Sequence, residues 1–74
     1  MNQEDVDKYA RREPFQPFRL VLTTGVVMDV RRRDQIMLGN TSVVVGVCDW
    51  PGGTTIDRTV QVDHVTIASA ELID

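Results

Sequence analysis

Cysteine and aromatic residues are scarce in this 74-residue chain, which has one cysteine, one tryptophan, one tyrosine and two phenylalanines. The single cysteine, Cys48, permits no disulfide within the chain, whereas small domains in oxidising compartments usually carry several. Residues 1–5 are polar and acidic and no long apolar run follows them, so the sequence indicates neither a secretory signal nor a membrane span. We therefore expect a soluble, cytoplasmic protein.

Positive charge is also in short supply, because eight basic residues face eleven acidic ones and the net charge is −3. Such a balance gives no general attraction to nucleic acid or to anionic membranes. One histidine and one cysteine are too few for a zinc site within one subunit, and no Gly-rich phosphate loop is present. We therefore expect no metal, no cofactor, no small-molecule substrate and no membrane contact.

The length predicts one domain spanning residues 1–74, and the N-terminal part predicts a helix over residues 2–12. Asn2 can accept a hydrogen bond from the backbone of Asp5, and acidic residues precede basic ones along the segment. Pro14 and Pro17 then favour extended backbone, which predicts a connector over residues 13–17.

From residue 18 the hydrophobic period changes to two, which is typical of strands. Thr24 and Gly25 predict a turn, residues 49–54 a loop, and Asp63 and His64 a tight corner. The predicted strands cover residues 18–23, 26–30, 43–48, 56–63 and 65–73. Five short antiparallel strands hide their edges best by curling. We therefore predict a mainly β fold over residues 18–74, with one strongly bent five-stranded sheet in an open barrel of the SH3-like or Sm-like kind.

The run from Glu13 to Leu20, with its Pro-Phe-x-Pro-Phe-Arg connector, and the turn after Leu22 resemble a family of small uncharacterised bacterial proteins. That resemblance implies the same layout and no particular activity. The order of helix and strands is also similar to that of Sm-like proteins, which assemble into rings and bind RNA. Of the Sm signature before the last strand only Asp63 matches, and Asn40 falls near the asparagine of the first signature.

Two groups of residues are candidates for contact with nucleic acid or another anion. The first is the run Arg31, Arg32 and Arg33, whose guanidiniums can fork onto phosphates, although the neighbouring Asp29 and Asp34 can instead neutralise it. The second comprises Asn40, Asp63 and His64. Asp63 and His64 also allow acid–base chemistry in principle, but nothing in the sequence completes a catalytic constellation. We therefore predict no enzyme, and we expect His64 to be a surface histidine at a strand corner.

Trp50 lies in the predicted loop and either folds back over the core or contacts a partner. The strand at residues 43–48 is apolar on both faces, which a half-solvated sheet does not require. A second copy of the chain would cover the extra face, and small size favours such an association. The sequence therefore predicts a non-enzymatic binding or structural module that forms homo-oligomers. The alternative is an Sm-like ring that binds RNA.

Overall fold

The computed structural model describes residues 1–48 and 55–73, and it is mainly β with one N-terminal helix, so the predicted fold class is confirmed at that level. In chain order the elements are α1 (Gln3–Ala10), β1 (Phe18–Leu22), β2 (Val27–Val30), β3 (Ile36–Leu38), β4 (Ser42–Val47), β5 (Arg58–Asp63) and β6 (Ile67–Leu72). One turn of 3₁₀ helix, Arg33–Gln35, lies between β2 and β3, and another, His64–Thr66, lies between β5 and β6.

Helix α1 begins as the sequence predicts, with the Asn2 side chain accepting a hydrogen bond of 2.9 Å from the Asp5 backbone N–H. It is shorter than the predicted range of residues 2–12. Its last residue is Ala10, and Arg11 caps the C-terminal end with an N–H that bonds to the carbonyl of Asp7. Two of its residues, Val6 and Ala10, are buried. These two side chains are the helix's main contribution to the core.

The strands form two antiparallel sheets of three strands each, in the orders β2-β1-β6 and β3-β4-β5. The single five-stranded sheet expected from the sequence is therefore not confirmed. The difference arises at residues 31–38, where the 3₁₀ turn separates β2 from an additional strand, β3. A strand of three residues is too short for a two-residue alternation to reveal it.

Both sheets and α1 contribute to one hydrophobic core. Phe18 and Leu20 of β1 and Val43 and Val45 of β4 are fully buried, at the alternating positions that point to the same face of each strand. The Phe18 ring lies 5.5 Å from the ring of Tyr9, measured between centroids. Residues of α1 thus pack directly against the central strand of the first sheet.

The outward face of β4 is partly covered by the chain itself. A Cβ atom built on Gly46 would lie only 2.7 Å from Cδ1 of Ile56, because the isoleucine side chain rests on this glycine. Val44, on the same face, is half-buried, whereas Met37 opposite it in β3 is 70% exposed. Part of the apolar second face predicted for this strand is therefore covered without a second subunit.

Candidate functional site

The arginine cluster lies at the end of β2 and in the 3₁₀ turn that follows. Arg31 Nη2 is 3.4 Å from Asp29 Oδ2, and Arg32 Nε is 3.4 Å from Asp34 Oδ1. Both are ion pairs between partly exposed side chains, which hold the guanidiniums only weakly. The neighbouring carboxylates of Asp29 and Asp34 thus balance the charge of these two arginines within the chain, which is the alternative to phosphate binding that the sequence left open.

Arg33 is held more firmly than its neighbours. Its Nη2 atom lies 2.8 Å from Glu13 Oε1 and donates a 2.8 Å hydrogen bond to the carbonyl of Arg12. Its guanidinium carbon also lies 5.6 Å from the centre of the Phe15 ring, a cation–π distance. Arg33 therefore connects the turn after β2 to the segment that follows α1.

Gln35 fixes the backbone of the arginine cluster, a role that the sequence did not indicate. Its Oε1 atom accepts hydrogen bonds from the backbone N–H groups of Arg31 (2.8 Å) and Arg32 (3.0 Å). Its Nε2 atom donates to the carbonyl of Gly46 at 3.2 Å. A single side chain thus joins the corner after β2 to β4. Gln35 lies three residues after Arg32, the N-cap residue of the turn, which is the spacing of a capping box. This spacing is the sequence signal by which its role could have been found.

A further ion pair crosses the outward face of the first sheet. Arg19 Nε lies 2.8 Å from Asp29 Oδ1, and Arg19 Nη2 donates to Asp29 Oδ2 at 3.4 Å. This hydrogen bond lowers the pKa of Asp29 from its ordinary value, against the opposing effect of partial burial, and raises the pKa of Arg19. The carboxylate of Glu71, opposite Arg19 in β6, lies 3.8 Å away.

The second group of candidates lies at the corner between β5 and β6. His64 is buried, its Nε2 lies 3.0 Å from the carbonyl oxygen of Gly39, and its backbone N–H bonds to the carbonyl of Thr41 at 3.0 Å. Since a carbonyl only accepts, Nε2 is the donor of this hydrogen bond. The structure thus brings His64 to the turn that carries the exposed Asn40.

His64 has a structural environment rather than a surface one, so our expectation of a surface histidine at a strand corner is wrong. Its Nδ1 atom is buried without a hydrogen-bond partner among the described residues. The Asp63 residue is exposed, and its carbonyl accepts a 2.7 Å hydrogen bond from Thr66 Oγ1. The arrangement closes the corner and leaves the imidazole facing the protein interior.

The two groups of candidate residues do not converge. The arginines precede β3, and Asn40 follows it, so an extended strand of three residues, about 10 Å long, separates them along the chain. Trp50, the candidate partner contact, lies outside the described residues. Among residues 1–48 and 55–73 no group of three His, Cys, Asp or Glu side chains could hold a metal ion.

An open groove of about 510 Å³ lies beside β3. It is lined by the end of α1, the residues after it, and the exposed strand, namely by Ala10, Arg11, Glu13, Arg33, Ile36, Met37 and Leu38. Of its charged side chains, Glu13 and Arg33 bond to each other, and Arg11 pairs with Asp7 at 3.9 Å. Each charge of the lining therefore already has a partner within the chain.

The free edges of the two sheets differ in how they are protected. The N-terminal segment bonds to β6, because Tyr9 Oη of α1 donates to the carbonyl of Ala70 at 3.1 Å and the Met1 amine donates to the carbonyl of Ile67. Strand β2 has four residues and carries the ion-paired Asp29. Strand β3 has only three residues. Short strands and charges are common protections of sheet edges.

Strand β5 has six residues, and its charged residues, Arg58 and Asp63, lie only at its two ends. The carbonyl of Thr41, just before β4, accepts from the His64 N–H, and the carbonyl of Val47 accepts from the Asp57 N–H. The odd-numbered residues of β4 therefore bond to β5, and their partners in β5 are the even-numbered residues. By this alternation the main-chain groups that point away from β4 belong to Thr59, Gln61 and Asp63. Within the described part of the chain, no hydrogen bond reaches the backbone N–H or C=O of Thr59 or Gln61.

No protein-family model, curated protein or solved structure matches this chain. In the part of the chain that the structure describes, no helix is both long and apolar enough to cross a bilayer.

Proposed function

We propose that this protein is a small, non-enzymatic structural module that self-associates in the cytoplasm, and that the open edge of β5 is its contact surface. The observation that carries the proposal is the row of unpaired main-chain groups along this six-residue strand. Such a row is a template for pairing with another strand, which is why proteins normally shorten, charge or cover it. Each of the other three edges is shorter, as β2 and β3 are, or accepts hydrogen bonds from the N-terminal segment, as β6 does.

The polar side chains favour the same interpretation. The arginines of the cluster have carboxylate partners within the chain, and the single histidine bonds to a main-chain carbonyl beneath a turn. Groups used in this way hold the fold together, and a site for chemistry requires groups that converge on a substrate. The edge of β5, by contrast, offers main-chain groups that the described part of the chain does not use.

The proposal includes the finer architecture expected from the sequence, a strongly bent open barrel of the SH3-like or Sm-like kind. Residues 31–35 alone separate β2 from β3, and Gln35 binds both arms of this corner. If β2 and β3 are two halves of one bent strand, the two sheets join in the continuous order β6-β1-β2/β3-β4-β5. This order supports a five-stranded sheet whose outer strands are β5 and β6.

Sedimentation equilibrium tests the proposal on the untagged 8.3 kDa chain. At tens of micromolar we expect a mass of at least two chains, with a concentration-dependent fall towards one chain on dilution. A single 8.3 kDa species over the whole range would overturn self-association. The measurement is repeated at high salt, where pairing by main-chain hydrogen bonds persists and association by surface charge weakens.

An Sm-like ring that binds RNA is the second candidate, because the structure does bring the Asn40 turn to His64. It ranks lower, since the arginines lie at the other end of β3 and are ion-paired. Protein purified without nuclease and titrated with a labelled single-stranded RNA tests it. Binding that weakens steeply as salt rises would favour this function, and its absence at low salt would remove it.

A further inference from the structure

We propose that two copies of the chain pair through β5, antiparallel and about a two-fold axis at Gln61, so that β3-β4-β5 of each copy continue into one six-stranded sheet. This inference rests on the proposed self-association through β5 and adds the orientation and the register of the two strands. It concerns the edge where Thr59 and Gln61 have no main-chain partner.

A second copy fits this edge because the edge is complementary to itself. Along β5 the unpaired residues each offer one N–H and one C=O, and an antiparallel copy offers the same groups in the matching order. A two-fold axis perpendicular to the sheet also keeps the core-facing sides of both copies on the same side. The core-facing Val62 is buried and Val60 is half-buried.

Only some registers pair the outward main-chain groups and also keep the core-facing sides of both copies on the same side. Residues whose main chain points outward must face each other, so the axis passes through a residue of β5 rather than between two residues. The two registers with the greatest overlap place the axis at Val60 or at Gln61. With the axis at Val60, Thr59 faces the partner's Gln61, which gives two facing pairs. A third pair, of Asp57 with the partner's Asp63, does not form, because the Asp57 N–H points towards β4 and bonds to the Val47 carbonyl.

The axis at Gln61 gives one facing pair more. Gln61 then faces the partner's Gln61, and Thr59 faces the partner's Asp63 on either side of the axis. Each facing pair exchanges two hydrogen bonds, and there are three such pairs. The Asp63 carbonyl already accepts from Thr66 Oγ1, but a carbonyl oxygen has two lone pairs. In this register Val60 faces the partner's Val62 on the core side.

The residue at the axis must tolerate its own copy at close range. Gln61 is neutral and exposed, and an amide side chain both donates and accepts, so two of them can bond to each other. A charged residue there would repel itself. The charges of β5 instead lie at its two ends, Arg58 and Asp63. By contrast, the short edge strand β2 carries the charged Asp29 within it.

Disulfide cross-linking tests the register. Gln61→Cys and Thr59→Cys are each made in a Cys48→Ala background, and both positions are exposed on the same face of β5. With the axis at Gln61, the Cα atoms of residue 61 lie about 5.5 Å apart, which a disulfide spans. Those of residue 59 lie four strand positions apart, about 13 Å. We expect Gln61→Cys to form the covalent dimer at least about tenfold faster under mild oxidation.

Equal rates for the two variants, or faster cross-linking of Thr59→Cys, would overturn the register. A chain that self-associates while Gln61→Cys fails to cross-link would leave the proposed function standing and refute this inference. A chain that is monomeric throughout refutes both. Circular dichroism of each variant confirms that the comparison is between folded proteins.

Backbone N-methylation tests the hydrogen bonds without altering any side chain. The chain is assembled by peptide ligation with an N-methyl group at Gln61, and a matched chain carries it at Asp29, whose N–H also points away from its neighbouring strand. We expect the first to raise the dimer dissociation constant about tenfold or more and the second to leave it unchanged. An equal effect of both modifications would overturn the role of β5.

Discussion

His64 Nε2 lies 3.0 Å from the carbonyl oxygen of Gly39, so the only histidine of the chain joins the turn between β3 and β4 to the corner between β5 and β6. The backbone of the same residue bonds to Thr41 on the other side of that turn. Two hydrogen bonds from one residue thus hold two loops together, and His64 as a whole is 5% exposed.

Replacing this residue therefore affects stability. We expect His64→Ala to lower the free energy of unfolding by about 2 to 3 kcal/mol, because it leaves a cavity and removes the partner of a carbonyl. Asn40→Ala, in the same turn but exposed, should change it by less than about 0.5 kcal/mol. Urea unfolding followed by circular dichroism measures both. Equal small effects would show that the imidazole is not a structural element.

Gln35 provides the second prediction. Gln35→Ala removes the acceptor for two backbone N–H groups and the donor to Gly46, so we expect a loss of about 1 to 3 kcal/mol in the free energy of unfolding. Asp34→Ala, next to it and with a side chain 72% exposed, is the matched control and should lose less than about 0.5 kcal/mol. The same urea titration serves for both, and a control as damaging as Gln35→Ala would contradict this role.

Much of the fold could be predicted because the chain's local patterns are consistent with it. The Asn2 cap, the turn at Gly25 with its positive φ of 90°, and the alternation in β1 and β5 each have a local cause in sequence. The strand β3 and the division into two sheets could not be predicted in this way. They depend on a corner whose backbone at Arg32 bonds to the side chain of Gln35, three residues further on. The same side chain bonds to Gly46, which lies eleven residues beyond Gln35.

The candidate sites were less predictable because they depend on which side chains meet. Adjacent arginines suggested an anion site, yet Arg33 bonds to Glu13 of a segment twenty residues away. The open edge of β5 has no sequence signal of its own. It follows from strand order, which places β5 at the end of its sheet, and from the N-terminal segment, which bonds to β6 instead.

The contact between Gly46 and Ile56 provides the third prediction. A methyl group on Gly46 would lie within 3.0 Å of three atoms of the isoleucine side chain, so Gly46→Ala should lower the free energy of unfolding by about 1 to 3 kcal/mol. Ile56→Ala relieves the crowding, and in its background Gly46→Ala should cost clearly less. A double-mutant cycle measures this coupling. Strict additivity of the two substitutions would show that the contact does not decide the effect.

The ion pair of Arg19 with Asp29 predicts how stability depends on pH. The hydrogen bond from Arg19 lowers the pKa of Asp29 in the folded protein, whereas the unfolded chain protonates this carboxyl near its ordinary value of 3.8. The folded state thus binds the proton less readily. The stabilisation is fully present above about pH 4 and is lost as the pH falls through the lower pKa of the folded state.

Asp29→Asn removes this dependence. We expect the variant to be less stable than the natural chain at pH 7, and we expect the difference in unfolding free energy between the two to shrink as the pH falls below about 4. Urea titrations at a series of pH values between 7 and 2 measure it. Asp34→Asn is the control, since that more exposed carboxylate should give a smaller difference at pH 7. A difference for Asp29→Asn that stays constant down to pH 2 would show that its carboxylate does not stabilise the first sheet through its charge.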